Sequence, residues 1–111
     1  MRIKVDHIPP EIYSGENAAI CLRVALDQTE RNYTGTCYLD IVTPTGAKRR
    51  TGNLTRTGDS FFYTLTADDL AAPGRLIVQA VFKYGTNNSV IRKSTLYSFK
   101  INKSIIIDFE E

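Results

Sequence analysis

Arg75-Leu76-Ile77-Val78-Gln79-Ala80-Val81-Phe82-Lys83-Tyr84 decides the fold of this chain. Its even positions, Leu76, Val78, Ala80, Phe82 and Tyr84, are all apolar or aromatic, whereas the odd positions Arg75, Ile77, Gln79, Val81 and Lys83 are mixed. Successive strand side chains point to opposite faces. One face is therefore fully buried and the other half-buried, as in a central strand of a two-layered β structure. On the N-terminal side, Phe61, Tyr63 and Leu65 alternate with Phe62, Thr64 and Thr66, which gives a second two-sided strand over residues 60–66. Between the two, residues 67–72 fit one helical turn. Asp68 and Asp69 sit in its first turn, where free amides and the helix dipole favour acids. Pro73-Gly74 ends it, since proline brings no amide hydrogen and glycine tolerates positive φ.

The rest of the chain follows the same grammar. Ile3 and Val5 mark a first strand over residues 2–8, and Pro9-Pro10 predicts an extended crossing from one sheet towards the other. Tyr13-Ser14-Gly15-Glu16-Asn17 is a turn. A strand over 18–26 places Ile20, Leu22, Val24 and Leu26 inward and Cys21 and Arg23 outward, and Asp27–Thr34 reads as a polar loop. Thr36–Thr43 is a strand with Cys37, Leu39 and Ile41 inward and Tyr38, Asp40 and Val42 on the other face. Thr43-Pro44-Thr45-Gly46 is a reverse turn leading into a returning strand, Ala47–Leu54. Thr55–Gly58 turns back towards residue 60, Gly85–Ser89 is a hairpin loop, and the last strand runs from Val90 through Ile101. Seven short strands and one helical turn predict an all-β, immunoglobulin-like antiparallel β-sandwich. The chain has no Trp and no cysteine pair at inter-sheet positions, which points to a divergent sandwich rather than an antibody-type domain. Residues 1–104 form the single domain. Ile105-Ile106-Ile107-Asp108-Phe109-Glu110-Glu111 is either the end of the last strand or the start of a linker to a further segment.

Composition narrows the function classes. The 111 residues fit one domain, and 42% hydrophobic content allows a core without metals or disulfides. Fourteen Lys and Arg against twelve Asp and Glu leave a net charge of +2, too small to mark a nucleic-acid or membrane surface. No apolar run approaches the roughly 20 residues that span a bilayer. The first residues alternate like a strand and carry no signal-peptide core. Cys21 and Cys37 fall on neighbouring strands with opposite facing and are expected as free thiols.

No set of residues suggests catalysis, a cofactor or a metal. His7 is the sole histidine and has no nucleophile pattern beside it. Asp68-Asp69 has no second acidic cluster to complete a cation site, and Asp108, Glu110 and Glu111 read as a solvated end. Lys48-Arg49-Arg50, followed by Arg56, reads as charge on an edge strand, which blocks unwanted pairing. Those three basic residues, with the outward aromatics Tyr33, Tyr38 and Phe62, are the candidate interface. Asn32-Tyr33-Thr34, Asn53-Leu54-Thr55, Asn87-Asn88-Ser89 and Asn102-Lys103-Ser104 match the short glycosylation acceptor pattern.

Three stretches carry a family likeness: Thr34-Gly35-Thr36-Cys37-Tyr38-Leu39-Asp40-Ile41-Val42-Thr43-Pro44-Thr45-Gly46, Gly58-Asp59-Ser60-Phe61-Phe62-Tyr63-Thr64-Leu65, and Ala72-Pro73-Gly74 running into the Arg75 strand. Thr51-Gly52-Asn53-Leu54 and Phe99-Lys100-Ile101-Asn102-Lys103-Ser104-Ile105 extend it, so that it spans most of the chain from Tyr13 to Ile105. In these the chain resembles the N-terminal immunoglobulin-like domain of upper baseplate (tail) proteins from phages and prophages of Gram-positive bacteria. The resemblance implies a non-enzymatic virion module, made in a bacterial cytoplasm, that assembles or spaces other parts. Its partners would be other virion protein subunits, with a homo-oligomeric parent and no nucleic acid, membrane or small-molecule ligand. The alternative is a cell-surface immunoglobulin-like adhesion or carbohydrate-binding module, which needs Tyr33, Tyr38 and Phe62 to form one platform.

Overall fold

The computed structural model describes residues 1–5, 12–15 and 20–103. His7, Pro9-Pro10, the second half of the 13–17 turn and the 105–111 tail lie outside the described residues. The described chain forms two antiparallel sheets. The first has the strand order β1 (Arg2–Val5), β2 (Cys21–Ala25), β6 (Ser60–Thr64), β5 (Thr55–Thr57). The second has the order β4 (Lys48–Arg50), β3 (Gly35–Val42), β7 (Gly74–Tyr84), with β8 (Val90–Lys93) and β9 (Tyr97–Ile101) both on the far edge of β7. Lettered in the immunoglobulin manner, these are A-B-E-D and C′-C-F-G.

The core lies between the sheets and follows the alternation in the sequence. Leu76, Val78, Ala80, Phe82 and Tyr84 of β7 meet Ile20, Leu22, Val24, Leu26 and Phe61 across the layer, with Cys37, Leu39 and Ile41 of β3 beside them, all buried. The opposite set on β7 is half-buried, apart from exposed Arg75 and buried Val81. Gly35 opens β3 because β7 passes close there: a Cβ at this position would stand 2.2 Å from the Lys83 carbonyl oxygen. Gly74 begins β7 at φ +125°, and a Cβ there would press against the ring of Pro44. The expected corner at Pro73-Gly74 thus has both a conformational and a steric cause.

The chain changes sheets on either side of the proline pair as expected. Residues 2–5 pair with β2 in the first sheet, whereas Tyr13 bridges Asn102 in parallel, beyond the end of β9 in the second. The helical turn is a 3-10 turn over Ala67–Leu70, shorter than the expected 67–72, capped by Thr66 with a reciprocal bond to Asp69. The Thr43–Gly46 turn closes with the Gly46 amide donating to the Thr43 carbonyl.

Three expectations are corrected. The returning strand is not Ala47–Leu54: regular pairing stops at Arg50, although the Thr51 and Leu54 amides still donate to the Leu39 and Cys37 carbonyls of β3. Thr55–Gly58 is not only a turn, because Thr55–Thr57 pairs with β6 and moves the chain into the first sheet. The last strand is two strands. Val81 pairs with Lys93 and Val78 with Tyr97, so Ser94, Thr95 and Leu96 oppose only Gln79 and Ala80. The extra residue makes a bulge, and this split together with the Thr55–Thr57 strand raises the total from the expected seven to nine among the described residues. The polar loop Asp27–Thr34 also holds more structure than expected. Asp27 and Glu30 cap each other's backbone amides, and Glu30 is buried with one carboxylate oxygen 2.8 Å from the Met1 ammonium.

Ser94 knits the bulge. Its hydroxyl accepts from the Ala80 amide at 2.9 Å and donates to the Thr95 carbonyl, while its own amide donates to the Ala80 carbonyl. Ser94→Ala leaves the buried Ala80 amide without that acceptor, and urea unfolding should show a loss of about 1–3 kcal/mol. The thiols give a second check. Cys37 is in the core, where burial, aided by the Glu30 charge, pushes its pKa up to about 12, whereas Cys21 is half-buried on β2. Ellman's reagent at pH 8 is expected to titrate only Cys21 in the native protein and both thiols after denaturation.

Candidate interaction surface

A strand's two-residue period splits the basic run Lys48-Arg49-Arg50 between two faces, and the two halves have different work. Arg49, opposite Ile41, turns towards the sandwich and reaches Asp69 on the 3-10 turn, with Nε and Nη2 at 3.1 and 2.6 Å from one carboxylate oxygen. The other oxygen accepts from the Thr66 amide at 2.8 Å and the Thr66 hydroxyl at 3.0 Å, and the Tyr63 hydroxyl stands 3.4 Å away. Arg49 also donates to the Tyr63 hydroxyl at 2.6 Å. This cluster ties β4 of one sheet to β6 of the other. It is a structural clamp, and Arg49 serves it from the exposed edge strand where the sequence reading placed it. Arg56 is likewise occupied: its guanidinium donates to the carbonyls of Gly58, Tyr33 and Arg31, fastening the 27–34 loop to β5.

Lys48 and Arg50 face outward with the rest of the second sheet's outer surface. Arg50 is paired with Asp40 (2.7 and 3.2 Å) and lies over the Tyr38 ring, 4.2 Å from its centroid. The Lys83 ammonium stands over the same ring. Tyr38, expected as an outward aromatic, does point outward but is only 8% exposed beneath these cations. Among the described residues the register puts Arg75, Lys83, Lys93 and Lys100 on this face with Lys48 and Arg50, against the one carboxylate of Asp40. Six cations minus one anion give the described residues of this face +5, whereas all 111 residues together carry only +2. The balance hides a segregation of charge.

The basic face ends at β8, whose four residues are all exposed. Among the described residues no strand pairs with its outer edge. Ile91 is 53% exposed, Leu96 in the adjoining bulge is 65% exposed, and Val90 is also open to solvent. An unpaired ladder with apolar side chains is a site for strand addition, and Arg92 and Lys93 set the charge such a strand would need.

The other expected interface residues lie elsewhere. Tyr33 is 45% exposed but stacked on Tyr84, with ring centroids 4.4 Å apart, at the end of β7. Phe62 is on the first sheet, opposite Arg23 in the register. Tyr33, Tyr38 and Phe62 therefore do not form one platform. Among the described residues no group of three or more His, Cys, Asp or Glu is placed to hold a metal ion, and no helix is long and apolar enough to cross a membrane. Comparison with protein-family models, curated proteins and solved structures finds no match to this chain.

The clamp titrates. Burial pushes the Asp69 carboxyl up, but the hydrogen bonds from Arg49 and Thr66, with the Arg49 charge, outweigh it and hold the group below the ordinary value of 3.8. A carboxyl lowered on folding adds stability above that value and loses it as pH falls through the native pKa. Stability should therefore fall below about pH 4, and Asp69→Asn should flatten that acid limb. Arg49→Ala is expected to cost about 2 kcal/mol at pH 7, less than for a fully buried pair because solvent screens the partly exposed guanidinium. Chemical denaturation at pH 3, 5 and 7 measures both.

Proposed function

We propose that this chain is a non-enzymatic structural and interaction module of a phage or prophage tail or baseplate protein, in which it assembles or spaces subunits. The observation that carries the reading is the outer face of the second sheet: five net positive charges around a half-buried aliphatic centre, running to the unpaired, apolar edge of β8. These are features of protein–protein contact, where backbone ladders supply affinity and the flanking charges supply register and choice of partner. The sequence likeness to baseplate domains supports the tail assignment in particular. The polar clusters support the same reading from the other side, because Arg49, Asp69, Tyr63, Thr66 and Arg56 bond to one another or to backbone and hold loops and sheets in place.

In this role the sandwich is a rigid block. Its core fixes the relative positions of the β8 edge and the basic face, so that a partner meets a preorganised surface. The test is location in the particle. Antibodies raised against this domain should label the tail end of phage particles released from the source strain, and the domain should appear on immunoblots of gradient-purified particles. Its presence only in the cell envelope, with unlabelled particles, would reject the tail assignment in favour of an adhesion module.

A further inference from the structure

The β8 edge has an address that the chain's own sequence answers. Along Val90–Lys93 the side chains alternate: Ile91 and Lys93 lie on the basic outer face, while Val90 and Arg92 lie on the side of Tyr84 and Phe82, across the ladder from them. Each side of the edge thus carries one cation and one apolar residue, and a strand that added here would need acids to meet Lys83, Lys93 and Arg92 and apolar groups beside Ile91 and Val90. Ile105-Ile106-Ile107-Asp108-Phe109-Glu110-Glu111 has that pattern. Asp108 and Glu110 fall on one side of an extended strand and Ile105, Ile107 and Phe109 on the other. Its three acids lie beyond the last described residue, Lys103.

We propose that residues 105–111 of one copy of this chain add as a strand to the free edge of β8 in a second copy. The segment cannot serve its own β8. To reach Lys93 it would have to reverse after Lys103 and run back past the whole of β9 and the bulge, a path of about 27 Å at ~3.3 Å per residue. Residues 104–111, fully extended, span at most about 28 Å, which leaves nothing for the reversal or for pairing along Val90–Lys93. In a second copy no such limit applies. The contact is heterologous, tail to edge, and therefore closes into a ring or continues as a filament. This inference rests on the assembly role proposed above and names the surface and the segment that would carry it. Lys83 and Lys93 on the basic face, with Arg92 on the other side of the edge, supply the charge complementarity nearest the added strand. The exposed Ile91 and Leu96 frame it with apolar surface.

Analytical ultracentrifugation of the intact chain over micromolar to millimolar concentration tests this. Concentration-dependent association is expected, weakened about tenfold by Arg92→Glu with Lys93→Glu, exposed residues whose exchange leaves the core intact, with circular dichroism to confirm the fold. Association should return when Asp108→Lys, Glu110→Lys and Glu111→Lys are added to that variant, which reverses the acids on both sides of the added strand, a rescue that general loss of stability would not give. A peptide of sequence 104–111 should compete with association and shift the amide resonances of Val90–Lys93, and a scrambled peptide should not. A chain that stays monomeric at millimolar concentration, or one that responds equally to the scrambled peptide, would overturn the proposal. Either result leaves the tail assignment standing or falling on the particle-labelling experiment alone.

Discussion

β7 has to satisfy its backbone along both edges at once, and everything else in the molecule is arranged around that demand. One edge is met by β3 alone, from Val42 opposite Ile77 to Gly35 opposite Tyr84. The other is too long for one regular partner, and it is met by two short strands whose registers differ by a residue. The extra residue at Ser94–Leu96 is what lets Tyr97, Phe99 and Ile101 turn inward beside Val78, Leu76 and Gly74. Without the shift, those three side chains would face solvent and Ser98 and Lys100 would face the core. The bulge thus reconciles a hydrophobic pattern that changes phase between β8 and β9, and it leaves β8 with no buried side chain of its own.

Much of this was legible in the chain. The two-sided strands expected at 60–66 and 75–84, found as Ser60–Thr64 and Gly74–Tyr84, the inward Ile20, Leu22 and Val24, and the Thr43–Gly46 turn follow from alternation and turn chemistry, which are local and act over a few residues. What escaped was short or non-local. Thr55-Arg56-Thr57 is too brief to show a period, and nothing in Ser94-Thr95-Leu96 signals a bulge except the phase change on either side of it. The capping pairs Asp27 with Glu30 and Thr66 with Asp69 had a readable signal, the three-residue spacing of a reciprocal cap. That spacing would have found Glu30 inside the fold.

The candidate surface was legible only in part. The parity of 48, 49 and 50 already separates Arg49 from its neighbours, yet its partner Asp69 lies 20 residues away and on another element. Net charge of +2 gave no warning of a face carrying +5, because the sum over a chain says nothing about which strands become neighbours. Tyr38 was expected in the open, and it is outward; what covers it is a pair of cations from two other strands, Arg50 and Lys83. Long-range topology, rather than local composition, decides such surfaces.

The short parallel bridge between Tyr13 and Asn102 bears on how the domain would carry a load. Asn102 donates to the Ile12 carbonyl and accepts from the Ser14 amide, at 2.7 and 2.8 Å, and the two segments run in the same direction. Tension applied through the chain on the N-terminal side of Ile12 and on the C-terminal side of Lys103 pulls these segments along their length in opposite senses. Both bonds are then strained together in shear rather than unzipped one after the other. A force entering at the N-terminus loads the β1–β2 ladder first, and once that yields this staple is the next contact in its path, a mechanical latch in front of the ladders of the second sheet.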